Sequence, residues 1–137
     1  MAVFVVDASV ALAWCFQDEA TNWTDGLLER LRHGDRAVVP AHWPAEISNA
    51  LSFAARKKRI TLDFPAVFWD QLARLPIETE PPLNAAQAKA ILSLSEKHSL
   101  TSYDAAYLEL AQRRRLPLAT LDADLRLAAQ SEGTTLL

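Results

Sequence analysis

The sequence predicts an α/β fold built on a mostly parallel sheet of four to five short strands, and three observations carry that prediction. Ala2-Val3-Phe4-Val5-Val6 is apolar without alternation, and four of its five residues are β-branched or aromatic. That is the pattern of a strand buried on both faces, as in a parallel sheet covered by helices. Short strand candidates of this kind then alternate with helical stretches along all 137 residues. Finally, the first strand and the last strong one both stop on a carboxylate, Asp7 and Asp122. An ionised group is too costly to hold deep in an apolar layer without a partner, so each Asp belongs at the carboxyl end of its strand. In open parallel sheets that edge is where ligands bind.

Each element has its own signal. After Asp7 a helix carries Val10, Ala11, Ala13, Trp14 and Cys15, with Ser9 as its expected N-cap, and Gln17-Asp18-Glu19 breaks it. A second helix, Thr21 to Leu31, lines up Trp23, Leu27, Leu28 and Leu31 and ends at His33-Gly34. Ala37-Val38-Val39-Pro40 reads as a short buried strand. Pro44 suits the first turn of a helix from Trp43 to Lys57, and a further helix runs from Asp63 to Arg74. Ile77 to Glu80 is a weak strand closed by Pro81-Pro82. Asn84 caps a helix to His98, Thr101 or Ser102 starts another that reaches Arg113-Arg114-Arg115, and Leu116 to Leu121 is the last strong strand. A short helix, Asp124 to Gln130, and a tail strand, Thr134 to Leu137, follow. No repeat, linker or low-complexity tract divides the chain, so residues 1–137 are expected to form one domain.

Composition narrows the function. Half the residues are hydrophobic and 23% are charged, the balance of a globular protein. The opening apolar run is far shorter than the roughly 20 residues that cross a bilayer, and it lacks the basic flank and cleavage site of a signal peptide. With the single cysteine, Cys15, flanked by Trp14 and Phe16, this leads to a cytoplasmic expectation, and to Cys15 as a packing residue rather than a nucleophile. The net charge of −3 excludes a protein that holds nucleic acid by overall positive charge alone. Were the substrate a nucleic acid, local basic patches or metal ions would have to offset its phosphates.

Two helix starts add acids to the edge where Asp7 and Asp122 emerge. Glu46 falls in the first turn after Pro44, and Asp104 in the first turn after Thr101-Ser102. Taken singly, an Asp at a strand end is usually a cap, and an acid in a first turn usually answers the helix dipole, worth about 0.3–1 kcal/mol. Taken together they repel: two unit charges about 5 Å apart cost roughly 3 kcal/mol at an effective dielectric near 20. Stability alone gives no reason to gather four. A divalent cation does, and an all-oxygen set without histidine or cysteine selects Mg²⁺ or Mn²⁺ over zinc. Asp18, Glu19 and Glu109 are left to capping or dipole compensation, and so is Asp124, although its place two residues beyond Asp122 keeps it open to inclusion as a further acid.

These residues resemble a known family. Val5-Val6-Asp7-Ala8-Ser9 is similar to the opening motif of the PIN-domain ribonucleases, in particular the VapC toxins of bacterial toxin–antitoxin pairs. Glu46 with Asn49 and Leu51 resembles their second acidic motif, Leu100 to Leu108 around Asp104 the third, and Pro117-Leu118-Ala119-Thr120-Leu121-Asp122 the fourth. The resemblance spans nearly the whole chain in order. It implies an α/β/α sandwich whose acidic pocket binds one or two Mg²⁺ or Mn²⁺ ions and cuts single-stranded RNA with a metal-activated water. Carried over, Asp7, Glu46, Asp104 and Asp122 are the metal-site acids, some acting through water. Ser9, where many relatives have Asn, and Thr120 are the supporting hydroxyls, and Asn49 touches substrate or supports Glu46.

The resemblance also implies a homodimer and a VapB-type antitoxin partner, with Trp43 and Trp69 as candidates for those surfaces. Arg56-Lys57-Lys58-Arg59 and Arg113-Arg114-Arg115 lie at predicted helix C-termini, where the dipole already favours cations; Arg56, Lys57, Arg113 and Arg114 are the candidate RNA contacts. His33, His42 and His98 fall in or beside turns and read as surface residues, His42 being notable for its closeness to Glu46. Two other readings stand beside the nuclease. A phosphotransferase of haloacid-dehalogenase type needs a second Asp two residues after the first, and that position is Ser9. A PIN-like module that binds a partner and cleaves nothing would have no reason to keep a repulsive acid cluster.

Overall fold

The computed structural model describes residues 1–137, and its centre is the opening strand. β1 (Val3–Val6) is flanked on one side by β2 (Arg36–Val39) and on the other by β4 (Leu118–Ala119), with β3 (Ile77–Thr79) outside β2. All pairings are parallel: Phe4 faces Ala37, Val5 faces both Val38 and Leu118, and Val38 faces Glu78. The uninterrupted apolar run is explained by this position, since Phe4, Val5 and Val6 are wholly buried between strands and helices.

The chain moves outward from β1 to β2 to β3, then returns past β1 to lay down β4. Crossovers between parallel strands are right-handed, so this reversal puts the two sets of helices on opposite faces. One set is α1 (Ala8–Cys15), α2 (Asn22–Arg32), α3 (Trp43–Arg56) and α4 (Phe64–Leu72), in which α1 packs on α2 and α3, and α3 on α4. The other is α5 (Ala85–His98), α6 (Ser102–Arg114) and α7 (Ala123–Ser131), with α6 against its two neighbours and against β1 and β4. The point of reversal lies between β1 and β4, where a parallel sheet opens a crevice at its carboxyl edge.

α6 is buried on almost every side from Ala105 to Ala111, and the small Ala105, Ala106 and Ala111 let neighbouring backbones come close. Thr21 and Asn84 cap α2 and α5 in capping boxes with Thr24 and Gln87, satisfying the first-turn N–H groups. Gly34 takes φ +113° after α2, the left-handed turn expected of a glycine there. No helix is long and apolar enough to cross a membrane.

Several expectations need correcting. The last strand is two residues rather than six, because Pro117 has no N–H to pair and the donors after Ala119 go to side chains: Leu121 N–H to Ser9 Oγ at 3.0 Å and Asp122 N–H to Thr120 Oγ1 at 3.0 Å. The tail makes a single parallel bridge, Leu118 to Leu136, in place of a strand. Trp43 is buried, its ring edge-on to Trp69 at 5.8 Å, so of the two only Trp69 keeps an exposed part; its Nε1 donates to Ser48 Oγ at 2.9 Å. His98 is no surface residue either, but lies against Glu132 at 2.8 Å. Cys15 is half-buried, and loss of solvent raises its thiol to about 11, as befits an unreactive packing residue.

Candidate active site

The helix expected to start at a Ser9 cap starts two residues earlier, and the difference decides what Asp7 is for. Asp7 occupies the N-cap position of α1 but makes no side-chain cap bond. Its Oδ2 instead accepts from Thr120 Oγ1 at 2.6 Å and Ser9 Oγ at 2.9 Å. Its own N–H continues the ladder to Ala119 O at 2.9 Å. A carboxylate used only as a helix cap would turn to the α1 backbone; this one is held by one hydroxyl from across the β1–β4 crevice, Thr120, and by a second from α1, Ser9. Asp122 differs, since its Oδ1 does cap α7, accepting from Leu125 N–H at 2.8 Å.

Burial is severe. Asp7 is 3% exposed, and desolvation lifts its carboxyl to about 6 against the two hydroxyl bonds that lower it, with Glu46 and Asp104 adding repulsion. Asp104 is raised as well, first by burial and then by Asp122 and Glu46. The four predicted acids therefore share one field: Asp7 with Glu46 and Asp104, and Asp104 with Glu46 and Asp122. Asp124, exposed in the first turn of α7, is not among the groups acting on Asp7 or Asp104.

The helices place the other two acids. Thr101 caps α6, its Oγ1 accepting from Asp104 N–H at 3.1 Å, which fixes the turn carrying Asp104. Glu46 sits in the first turn of α3, and Tyr107 OH donates to its Oε1 at 2.7 Å. Tyr107 is completely buried, and desolvation, with Asp7 and Glu46 nearby, pushes its phenol far up, so it remains a proton donor. Sequence reasoning missed Tyr107. Its signal was present: it stands three residues after Asp104, on the same helix face, as the lone hydroxyl in the apolar run Ala105 to Leu108. His42, read as a surface residue, is instead wedged between Tyr103 and Tyr107, with ring centroids 5.6 and 5.4 Å away. Its Nε2 is buried without a hydrogen-bond partner, 3.4 Å from Glu46 Oε1.

Above Glu46 and Asp104 opens a cavity of about 480 Å³, lined also by His42, Ala45, Asn49, Thr101 and Tyr103 and by no Lys or Arg. A larger cleft of about 550 Å³ lies by Gln112, Arg115 and Glu132, but Glu132 there is matched by Lys97 and His98. The candidate RNA cations have other partners. Arg113 binds Glu109 and Glu80, Arg114 binds Glu80, Arg56 bonds Ser52, and Lys57 lies over the Phe53 ring. Arg56 lies ten residues beyond Glu46 on α3, about 15 Å along the helix.

The donor set suits a hard divalent cation: four carboxylates, with two hydroxyls behind them. No three His, Cys, Asp or Glu side chains meet closely enough to form a ready cage. An ion that keeps part of its own water, as Mg²⁺ does, accepts such a spread arrangement.

A parallel α/β domain with an electrostatically strained carboxylate pocket at its topological switch point is thus defined by fold and site. Residues 4–130 match the family model of the PIN domain, and the chain belongs to that family. PAE2754 from Pyrobaculum aerophilum is similar in structure at 23% identity and TM-score 0.70, over 93% of this chain and 79% of that one. VapBC2 from Rickettsia felis, crystallised with a DNA fragment from its promoter, is similar at 13% identity and TM-score 0.69, over 98% and 97%. A toxin–antitoxin complex from Klebsiella pneumoniae is similar at 15% identity and TM-score 0.59, over 87% and 86%. No curated protein matches the chain in sequence.

Proposed function

We propose that this protein is a metal-dependent endoribonuclease acting as the toxin of a VapBC-type toxin–antitoxin pair in the cytoplasm. The observation that carries the reading is the buried Asp7, raised to about 6 yet held by Thr120 from across the crevice and by Ser9 from α1, among three further acids. A fold gains nothing from that repulsion; a site that binds a divalent cation does. Membership of the PIN family supports the nuclease, and the likeness to VapBC2 and to the Klebsiella pneumoniae toxin–antitoxin complex supports the partner.

Asp7, Glu46, Asp104 and Asp122 are the residues that would hold Mg²⁺ or Mn²⁺, some of them through water. The ion, when bound, supplies an acidified water and draws charge from the phosphate. The chain's own part is positioning. Thr120 and Ser9 donate to one oxygen of Asp7 and leave the other free of those bonds. Tyr107 fixes Glu46, Thr101 fixes the turn of Asp104, and Asn49 offers an amide at the cavity mouth. Asp124, exposed beside Asp122, is the nearest reserve acid. Arg56 and Lys57 guide the strand, with Arg113 and Arg114 joining only by giving up Glu80 and Glu109. The exposed part of Trp69 serves the antitoxin or the second protomer of a homodimer.

The test is purified protein, freed of antitoxin, incubated with single-stranded RNA and Mn²⁺ or Mg²⁺ beside an EDTA control, with Asp104→Asn and Glu46→Gln in parallel. The parent cuts only with metal, and each variant loses at least a hundredfold. A parent that never cuts, or variants that cut equally well, overturns the reading; a parent that binds antitoxin without cutting identifies a binding module.

A further inference from the structure

The cavity over the acids has an aromatic wall that the carboxylates do not explain. Three rings run from core to solvent: Tyr107 fully buried, His42 tilted 70° to it, and Tyr103 tilted 50° to His42. Tyr103 ends the series 67% exposed, the most open of the three rings. Because His42 backs it, the ring is preset against its neighbour rather than free on the surface. From the N-cap of α3 onward, His42, Glu46 and Asn49 follow each other at four and three residues and so share a face. Asn49 is exposed and lines the same cavity. Next to Tyr103 in the chain is Asp104, one of the four acids.

We propose that Tyr103, braced by His42 and with Asn49 lining the same cavity, forms a subsite for one unstacked nucleobase of a single strand, beside the phosphate that a cation at the carboxylates would hold. The inference rests on the nuclease reading above and says which part of the substrate is gripped. An aromatic face accepts any base by stacking, while an amide carries both a donor and an acceptor for a base edge. No lysine or arginine lines this cavity, so stacking supplies there a grip that charge does not. Duplex RNA, whose bases are already stacked, cannot use such a wall, which favours loops and single strands.

The test is equilibrium binding by fluorescence anisotropy of the full chain to a labelled phosphorothioate RNA strand in Mg²⁺, with strand integrity checked afterwards. The strand is compared with copies made abasic at one position each. Tyr103→Ala weakens binding of the intact strand about five- to a hundredfold, the range of base–aromatic stacking, and Tyr103→Phe stays within about twofold of the parent. One abasic position produces the same loss in the parent, and there Tyr103→Ala adds nothing further. Asn49→Ala, tested against strands with each base at that position, flattens the preference among bases. The subsite is overturned if a parent that binds and cuts RNA is indifferent to every abasic position, or if Tyr103→Ala matches it throughout; the nuclease reading survives both results. The subsite is also overturned if Tyr103→Ala weakens only antitoxin binding. A parent that neither binds nor cuts single strands overturns both.

Discussion

Replacing Asp7 by Asn should make the protein more stable while abolishing its proposed activity. Asp7 is raised from 3.8 to about 6, so the folded state takes up a proton more readily than the unfolded chain between those values. Stability contributed by this group therefore falls as pH rises through that window, and the loss is complete above it. A shift of about two units at about 1.4 kcal/mol each corresponds to roughly 3 kcal/mol at neutral pH. Asparagine removes that cost and can still accept from Thr120 and Ser9, though more weakly, which returns about 1 kcal/mol. The net gain of about 2 kcal/mol amounts to roughly 5–10 °C in Tm for a chain of this size. The assay is thermal and urea unfolding of parent and Asp7→Asn, with EDTA, from pH 4 to 8. The gap opens between pH 4 and 6.5 and then stays level. Adding Mn²⁺ raises the parent but not the variant, closing the gap, because only the parent gains binding free energy from the ion. If Asp7→Asn melts at or below the parent at pH 8 without metal, then Asp7 is not the desolvated carboxylate its surroundings indicate.

Two further outcomes test the supports of the fold and site. Tyr107→Phe deletes the hydroxyl that holds Glu46 at 2.7 Å; kcat on RNA falls about tenfold or more with little change in KM, while Tm moves by no more than about 3 °C. Glu132 is lowered from 4.5 to about 2 by Lys97 first and then His98, so it stabilises the fold above pH 4.5, and that contribution is lost as pH falls toward 2. Glu132→Gln costs about 1 kcal/mol at pH 7, once screening by solvent is allowed for, and nothing near pH 2, as read from urea midpoints.

The local rules explain why so much was legible. β1 announced itself because a strand covered on both faces has no polar alternation. Asn84, Thr101 and Gly34 marked helix ends because caps and left-handed turns depend on a few adjacent residues. The four candidate acids could be singled out because each stands at an element boundary. What could not be read depends on distant partners. Arg113 and Arg114 looked free until the end of β3 brought Glu80 to them from 33 and 34 residues away. Trp43 looked like surface at a helix start, but α4 folds Trp69 over it. β4 shrank because Thr120 and Leu121 turn to Asp7 and Ser9, more than a hundred residues earlier.

That last pairing bears on how the protein is made. β4 inserts beside the first strand of the chain, and it alone brings Thr120 and Asp122 to Asp7. A nascent chain carries Asp7 from the start, Glu46 soon after and Asp104 late, but through most of its synthesis it has no crevice between β1 and β4 to gather them. Domains fold as units once their sequence has emerged, and long-range strand pairing is slow. The pocket is thus assembled nearly last, and a chain cut short before residue 118 lacks the β1–β4 crevice however many of its acids it already contains. An early stop leaves the site unbuilt, and the interval before β4 docks is time in which the proposed partner can arrive first.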